Sequence, residues 1–209
     1  SLFGEQHPFG RFAQASDYDR ITPDVLREFY RKYYHSGNCS VYVSGKVTPE
    51  IIRCIETNLG DTPWGEIRQM PLLELIAPQQ TTEKHVFVEK ADALQSSLKM
   101  GGFMMDRNHP DFLKARVMVT LFGGYFGSRL MSNIREDKGY TYGIGAGIVN
   151  CPGSGVLAIT TEADNQYIDA IITEVYREMD RMCNDLAPQE ELEMVRSYML
   201  GDFSRSYEG

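Results

Sequence analysis

Apolar side chains recur along this chain at two periods, 3.6 and 2, and the switches between them outline its elements. Thr22-Pro23-Asp24 opens the first clear helix with a hydroxyl cap, a proline at the first helical position and an acid in the first turn. Val25, Leu26, Phe29, Tyr30 and Tyr33 then return at helical spacing until Gly37-Asn38 breaks the run. Cys39, Val41 and Val43 alternate with Ser40, Tyr42 and Ser44, which predicts a strand. Thr48-Pro49-Glu50 repeats the helix start, and Ile51, Ile52, Ile55 and Leu59 supply the next apolar face. Residues 1–66 thus read as a block built on a compact α-β-α piece.

The periodicity dissolves from Asp61 onward. Pro63, Pro71 and Pro78 punctuate a stretch that suits an extended connection, and residues 67–82 read as a linker. A second block, 83–209, follows. In it, residues 85–89 and 94–103 are strand candidates, the first by the alternation of Val86 and Val88 with His85 and Phe87. Helices are predicted over 110–122 and 129–137, separated by a glycine-rich break. Strands over 140–150 and 155–161 are joined by the turn Cys151-Pro152-Gly153-Ser154. Asn165 is placed to cap a long helix carrying Ile168, Ile171, Ile172, Val175, Met179 and Met182. Pro188 starts the last helix, with Leu192, Val195, Met199 and Phe203 on one face. Strand pairs followed by helix pairs predict an α+β fold: an antiparallel-rich sheet with helices on one face.

Composition changes this picture by exclusion. The 209 residues are ordinary globular material, 42 % hydrophobic and 24 % charged, with a formal charge of −8. A net negative surface without a Lys/Arg cluster argues against a nucleic-acid partner. No apolar run approaches the length of a membrane span. Cys39, Cys54, Cys151 and Cys183 stand far apart, without C-x-x-C or finger spacing.

One segment carries more specific information. Residues 123–147 read Gly123-Gly124, then Ser128-Arg129-Leu130, Arg135-Glu136 and Gly139-Tyr140-Thr141-Tyr142-Gly143. With HPFG at His7 to Gly10, KYYHSGN at 32–38 and VYVSGKVTPE at 41–50, this order resembles the pitrilysin family of zinc metallopeptidases, which includes insulysin and the mitochondrial processing peptidases. The pieces are individually weak, but their order and spacing are specific. Members have two related α+β halves. The first bears H-x-x-E-H, and the second usually lacks it while contributing an Arg and a Tyr to the substrate cleft. The resemblance implies the tail of the first half in residues 1–66 and most of the metal-free half from 83. One departure is Ser36-Gly37, where the family tends to have proline.

A metal site of this type needs two imidazoles one helical turn apart and a glutamate to activate water. His7, His35, His85 and His109 are never followed by x-x-E-H. No metal site is therefore expected in this chain, and zinc would be supplied by the parent protein or a partner.

By resemblance, Arg135 and Tyr142 are the candidate catalytic residues. A phenol stabilises charge on a carbonyl oxygen, and a guanidinium presents a planar fork to carbonyls or a carboxylate. The bland alternative pairs Arg135 with Glu136 or Asp137 and packs Tyr142 in the sheet. Tyr140 is the rival phenol, two residues away in the strand and so expected on the same face. Gly123 and Gly124 either end a helix or line the cleft with open main chain, and the bulk of Tyr125 and Phe126 argues against the cleft. Without G-K-[ST] or a preceding strand, the break does not read as a phosphate loop.

The chain then reads as an interior fragment of a peptidase, inactive alone. Its expected partners are an extended peptide and a metal-bearing half or subunit. The alternative is a catalytically dead scaffold of the same fold. The first block is expected to pack strand 39–45 against the second block's sheet, within the chain or across a homodimer.

Overall fold

The computed structural model describes residues 2–66 and 83–208, so the linker at 67–82 lies outside the described residues. The chain divides into two units, one of residues 11–66 and one of residues 2–10 with 83–208.

In the smaller unit, α1 spans Ala15–Asp19, α2 Pro23–Tyr33 and α3 Pro49–Ile55, the last running into a π-helical turn at Glu56–Gly60. Both proline starts form as expected, and the Thr22 hydroxyl accepts the Val25 N–H at 3.3 Å. No residue of α2 or α3 is buried. Trp64 and Ser36 close the unit: Ser36 N–H donates to the Trp64 carbonyl at 2.9 Å, and Trp64 N–H to Ser36 Oγ at 3.3 Å.

The larger unit is built on three antiparallel strands, β1 (Ser96–Met104), β2 (Thr141–Cys151) and β3 (Ser154–Ala163), in the order β1-β3-β2. The β2–β3 hairpin turns at Pro152-Gly153, where Gly153 takes φ +71°, a conformation that costs glycine nothing. α4 (Phe112–Val119) continues as a π-helical turn at Thr120–Gly124, and a second π-helical segment occupies Met131–Asp137. α5 (Ile168–Asn184) and α6 (Gln189–Glu208) complete the unit. The fold class is the α+β arrangement expected from sequence.

Alternation along the strands sets the core. Leu98, Met100 and Met104 of β1, Ile144 and Ala146 of β2, and Ile159 and Ala163 of β3 face the helices, where Val119, Phe122, Leu130, Ile134, Ile171 and Val175 meet them. Leu130, Ile134 and Ile171 are wholly buried. Each contributes about 1.5–3 kcal/mol by leaving water. On the opposite face of β1, Phe103 meets Phe3 edge-on at 5.2 Å. Residues 2–10 therefore belong to this unit and not with the helices that follow them.

Three expectations need correction. Residues 39–44 and 85–89 join no ladder among the described residues. Alternation licenses a strand only when a partner supplies hydrogen bonds. Here Val41, Val43, Val86 and Val88 all remain exposed. Asn165 does not cap α5: it opens a 3-10 turn, Asn165–Tyr167, that runs into α5, and Asp164 caps that turn, its side chain accepting the Gln166 N–H at 3.0 Å. Asn165 instead accepts the Ser96 hydroxyl at 2.7 Å.

Candidate functional site

The site grows from two short segments of the larger unit that converge at the start of β2. The first, residues 128–137, is tied down on both sides. Arg129 forms a two-pronged ion pair with Glu191 of α6, Nε and Nη2 each 2.8 Å from a carboxylate oxygen. Only 10 % of the arginine side chain and 18 % of the glutamate are exposed. This pairing holds the Arg129 guanidinium above its already high ordinary pKa. The Asn133 amide donates to Glu174 at 3.1 Å and to Glu178 at 2.7 Å, both buried on α5. Arg177 and Arg181 neutralise these carboxylates at 2.8 and 3.0 Å. The segment ends where Gly139, φ +66°, donates its N–H to the Arg135 carbonyl at 3.1 Å.

The second segment is Thr141-Tyr142-Gly143. Thr141 pairs with Ala163 and Ile144 with Thr161, so β2 carries one extra residue between these pairs. Buried hydroxyls pin this bulge. Thr141 Oγ1 lies 2.7 Å from the Glu162 carbonyl and accepts the Gly143 N–H at 3.2 Å. The Thr161 hydroxyl sits 2.9 Å from both Thr141 Oγ1 and the Gly143 carbonyl. Tyr142, between them, is thrown outward and is 91 % exposed.

Arg135 and Tyr142 come together. The Arg135 guanidinium carbon lies 5.6 Å from the Tyr142 ring centroid and 4.6 Å from that of Phe126. Its closest carboxylate among the described residues is Glu136 at 3.9 Å, beyond hydrogen-bonding distance. The bland arrangement is therefore only half present: the acid is near, but the tyrosine does not pack in the sheet.

Tyr140 does not share the face of Tyr142. It stacks on Tyr167, centroids 4.9 Å apart, and packs against the core. Tyr140 precedes the first ladder pair and the bulge resets the alternation, so a period-two argument does not carry across it. The two glycines also separate. Gly123 is buried, and a Cβ there would lie 2.6 Å from Ala146 Cβ, so its bareness lets the helical turn press against β2. Gly124 is exposed.

Sequence reasoning missed Phe126 and the Glu174/Glu178 anchor. The anchor had a signal, the E-x-x-R-E-x-x-R pattern of Glu174, Arg177, Glu178 and Arg181 on one helix. Phe126 had none, because nothing local links it to a residue nine positions on.

Chemically, the surface offers a phenol and a guanidinium whose N–H groups make no hydrogen bond among the described residues. It is suited to hydrogen-bonding a carbonyl oxygen or carboxylate, and neither group is a base or nucleophile at neutral pH. His35 is buried in the smaller unit, His7 stacks on Phe3 at 4.8 Å, and His109 Nδ1 accepts the Asp111 N–H at 3.1 Å. Among the described residues, no group of three or more His, Cys, Asp or Glu side chains is placed to hold an ion.

With this geometry in hand, comparison places the chain among known proteins. Residues 20–199 match the family described as the peptidase M16 inactive domain. A protein of Rickettsia bellii named an uncharacterized zinc protease is 25 % identical over 214 residues, covering 100 % of this chain and 49 % of its own length. A Helicobacter pylori protein named a non-peptidase homolog is 26 % identical over 127 residues, 60 % of this chain and 28 % of its own. The crystal structure of a peptidase M16 inactive domain from Pseudomonas fluorescens superposes with a TM-score of 0.79 at 22 % identity, covering 97 % of this chain and 49 % of that one. The chain spans about half the length of the curated relatives it matches.

Proposed function

Because this chain belongs to the peptidase M16 inactive-domain family, we propose that it forms the substrate-side half of a zinc peptidase, opposite a metal-bearing half in the same polypeptide or a partner. The zinc and its activated water belong to that other half. The residues of this chain bind and orient an extended peptide and stabilise the charge that develops on the scissile carbonyl oxygen. The observation that carries the reading is the convergence of Arg135 and Tyr142 on one exposed surface, with no hydrogen-bond acceptor among the described residues engaging the guanidinium. Arg135 supplies fixed positive charge and a planar fork, and Tyr142 supplies a phenol donor. Gly124 offers open main chain to the peptide, while Gly123 and Tyr140 support the site from the packed side.

The test combines this chain with its metal-bearing half and follows cleavage of a fluorogenic peptide. Tyr142→Phe and Arg135→Ala each lower kcat/KM by roughly 100- to 1,000-fold, the scale of losing one donor to a developing oxyanion. Full activity in both variants sinks the assignment.

The Helicobacter relative, named a non-peptidase homolog, favours a second reading, a non-catalytic scaffold. The same assay separates the two. A scaffold co-purifies with its partner half yet adds nothing to peptide hydrolysis, and neither variant changes the rate.

A further inference from the structure

Two arginines six positions apart meet opposite fates in this unit. Arg129 has its fork consumed by Glu191, both prongs at 2.8 Å. The Arg135 guanidinium makes no hydrogen bond among the described residues and lies instead against aromatic rings, Phe126 at 4.6 Å and Tyr142 at 5.6 Å. The difference is chemical. A carboxylate occupies the N–H edge of a guanidinium, whereas a ring attracts the cation through its π face and uses none of the in-plane donors. A ring-held arginine is fixed in place with its fork still open.

Phe126 owes its position to the break that precedes it. Tyr125 is extended, φ −151° and ψ 173°, so its side chain and that of Phe126 point opposite ways. Tyr125 turns inward and meets Tyr198 with centroids 5.1 Å apart. A Cβ at Gly127 would lie 2.9 Å from the Tyr125 ring, so the glycine lets that ring fold in. Phe126 is left 61 % exposed, against Arg135. The bulk that seemed to obstruct a cleft thus divides: one ring anchors the loop, and the other meets the guanidinium.

We propose that Phe126 is a positioning residue of this site, its ring face holding the Arg135 guanidinium so that the N–H edge stays available to a peptide carbonyl or carboxylate. The inference rests on the substrate-side reading of Arg135. It predicts that the ring, not merely apolar bulk, is required, and that its effect passes only through Arg135.

Two measurements test this. In the 209-residue chain, NMR of the Arg135 side chain in wild type and in Phe126→Leu, Phe126→Ala and Phe126→Trp reads the ring contact directly. The Phe126 share of the upfield ring-current shift is retained in Phe126→Trp and lost in the other two, which keep only that of Tyr142. In the assembled peptidase, Phe126→Leu and Phe126→Ala raise KM about 3- to 10-fold, the scale of a cation–π contact, with kcat changed less than about twofold. Phe126→Trp restores KM, and Phe126→Ala adds no further loss to Arg135→Ala. If Arg135→Ala impairs cleavage but Phe126→Leu behaves as wild type, the role of Phe126 is overturned and the site reading stands. A Phe126→Ala loss that persists in the Arg135→Ala background overturns it equally. If Arg135→Ala itself has no effect, the site reading falls, and the role of Phe126 in peptide binding falls with it.

Discussion

Replacing Glu191 by Gln tests how the segment bearing Arg135 is held. The change keeps the size of the side chain and one acceptor oxygen but removes the charge facing Arg129. In the intact protein both prongs are 2.8 Å long and the partners are only 10 % and 18 % exposed, so solvent screens them little. Arg129 Nη1 is already buried without a hydrogen-bond partner among the described residues, so the guanidinium has no second acceptor to fall back on. Removing one member of a fully buried pair costs about 3–5 kcal/mol. With the residual exposure and the surviving amide contact, about 2–3 kcal/mol is expected here. For a chain of this length that corresponds to a fall in Tm of roughly 4–12 °C. Guanidinium chloride unfolding followed by circular dichroism measures it, with the slope m checked for constancy. Glu190→Gln is the control, since Glu190 is also an acid of the first turn of α6 and shares the helix-dipole contribution of about 0.3–1 kcal/mol without the pair. The reasoning also requires that Arg129→Met with Glu191→Leu be more stable than either single charge removal, because the double change leaves no uncompensated ion. A Glu191→Gln loss no larger than that of Glu190→Gln would refute it.

Two further outcomes follow from the geometry. Gly123→Ala costs about 1–3 kcal/mol because its Cβ must displace Ala146, whereas Gly143→Ala, with nothing within 4 Å of the added atom, leaves the unfolding midpoint in place. Equal midpoints for the two variants would show that the turn does not press on β2. Burial, and then the charge of Glu191, raise the pKa of the Tyr125 phenol. A raised folded-state value means stability is present below the unfolded pKa of about 10 and declines as pH rises toward the folded one. Tyr125→Phe therefore flattens the alkaline decline seen in denaturant melts. It costs less than about 1 kcal/mol at pH 8, since the buried hydroxyl lacks a partner among the described residues. An unchanged alkaline slope would sink this account.

Local signals in the sequence went far with the helices and the hairpin. The Thr-Pro starts of α2 and α3, the helix after Pro188 and the Pro152-Gly153 turn all formed, because caps, prolines and glycines act on their own backbone. The pairing of Arg135 with Tyr142 was also within reach, since only a helix end and a strand start separate them. What the sequence could not decide was anything that depends on a distant partner. Residues 39–44 and 85–89 have the alternation of strands, yet a strand is made by the ladder it joins, and none is present for them among the described residues. Tyr140 and Tyr142 looked equivalent until a one-residue bulge, pinned by the hydroxyl of Thr161 on the neighbouring strand, sent one inward and the other out. Phe126 became part of the site only because Tyr125 found Tyr198 on α6. The sequence by itself determined where the chain turns and which faces are apolar, since these depend on neighbours a few residues apart. Only the tertiary structure decided which side chains those faces leave free, because that depends on packing between elements whose separation along the chain carries no signal.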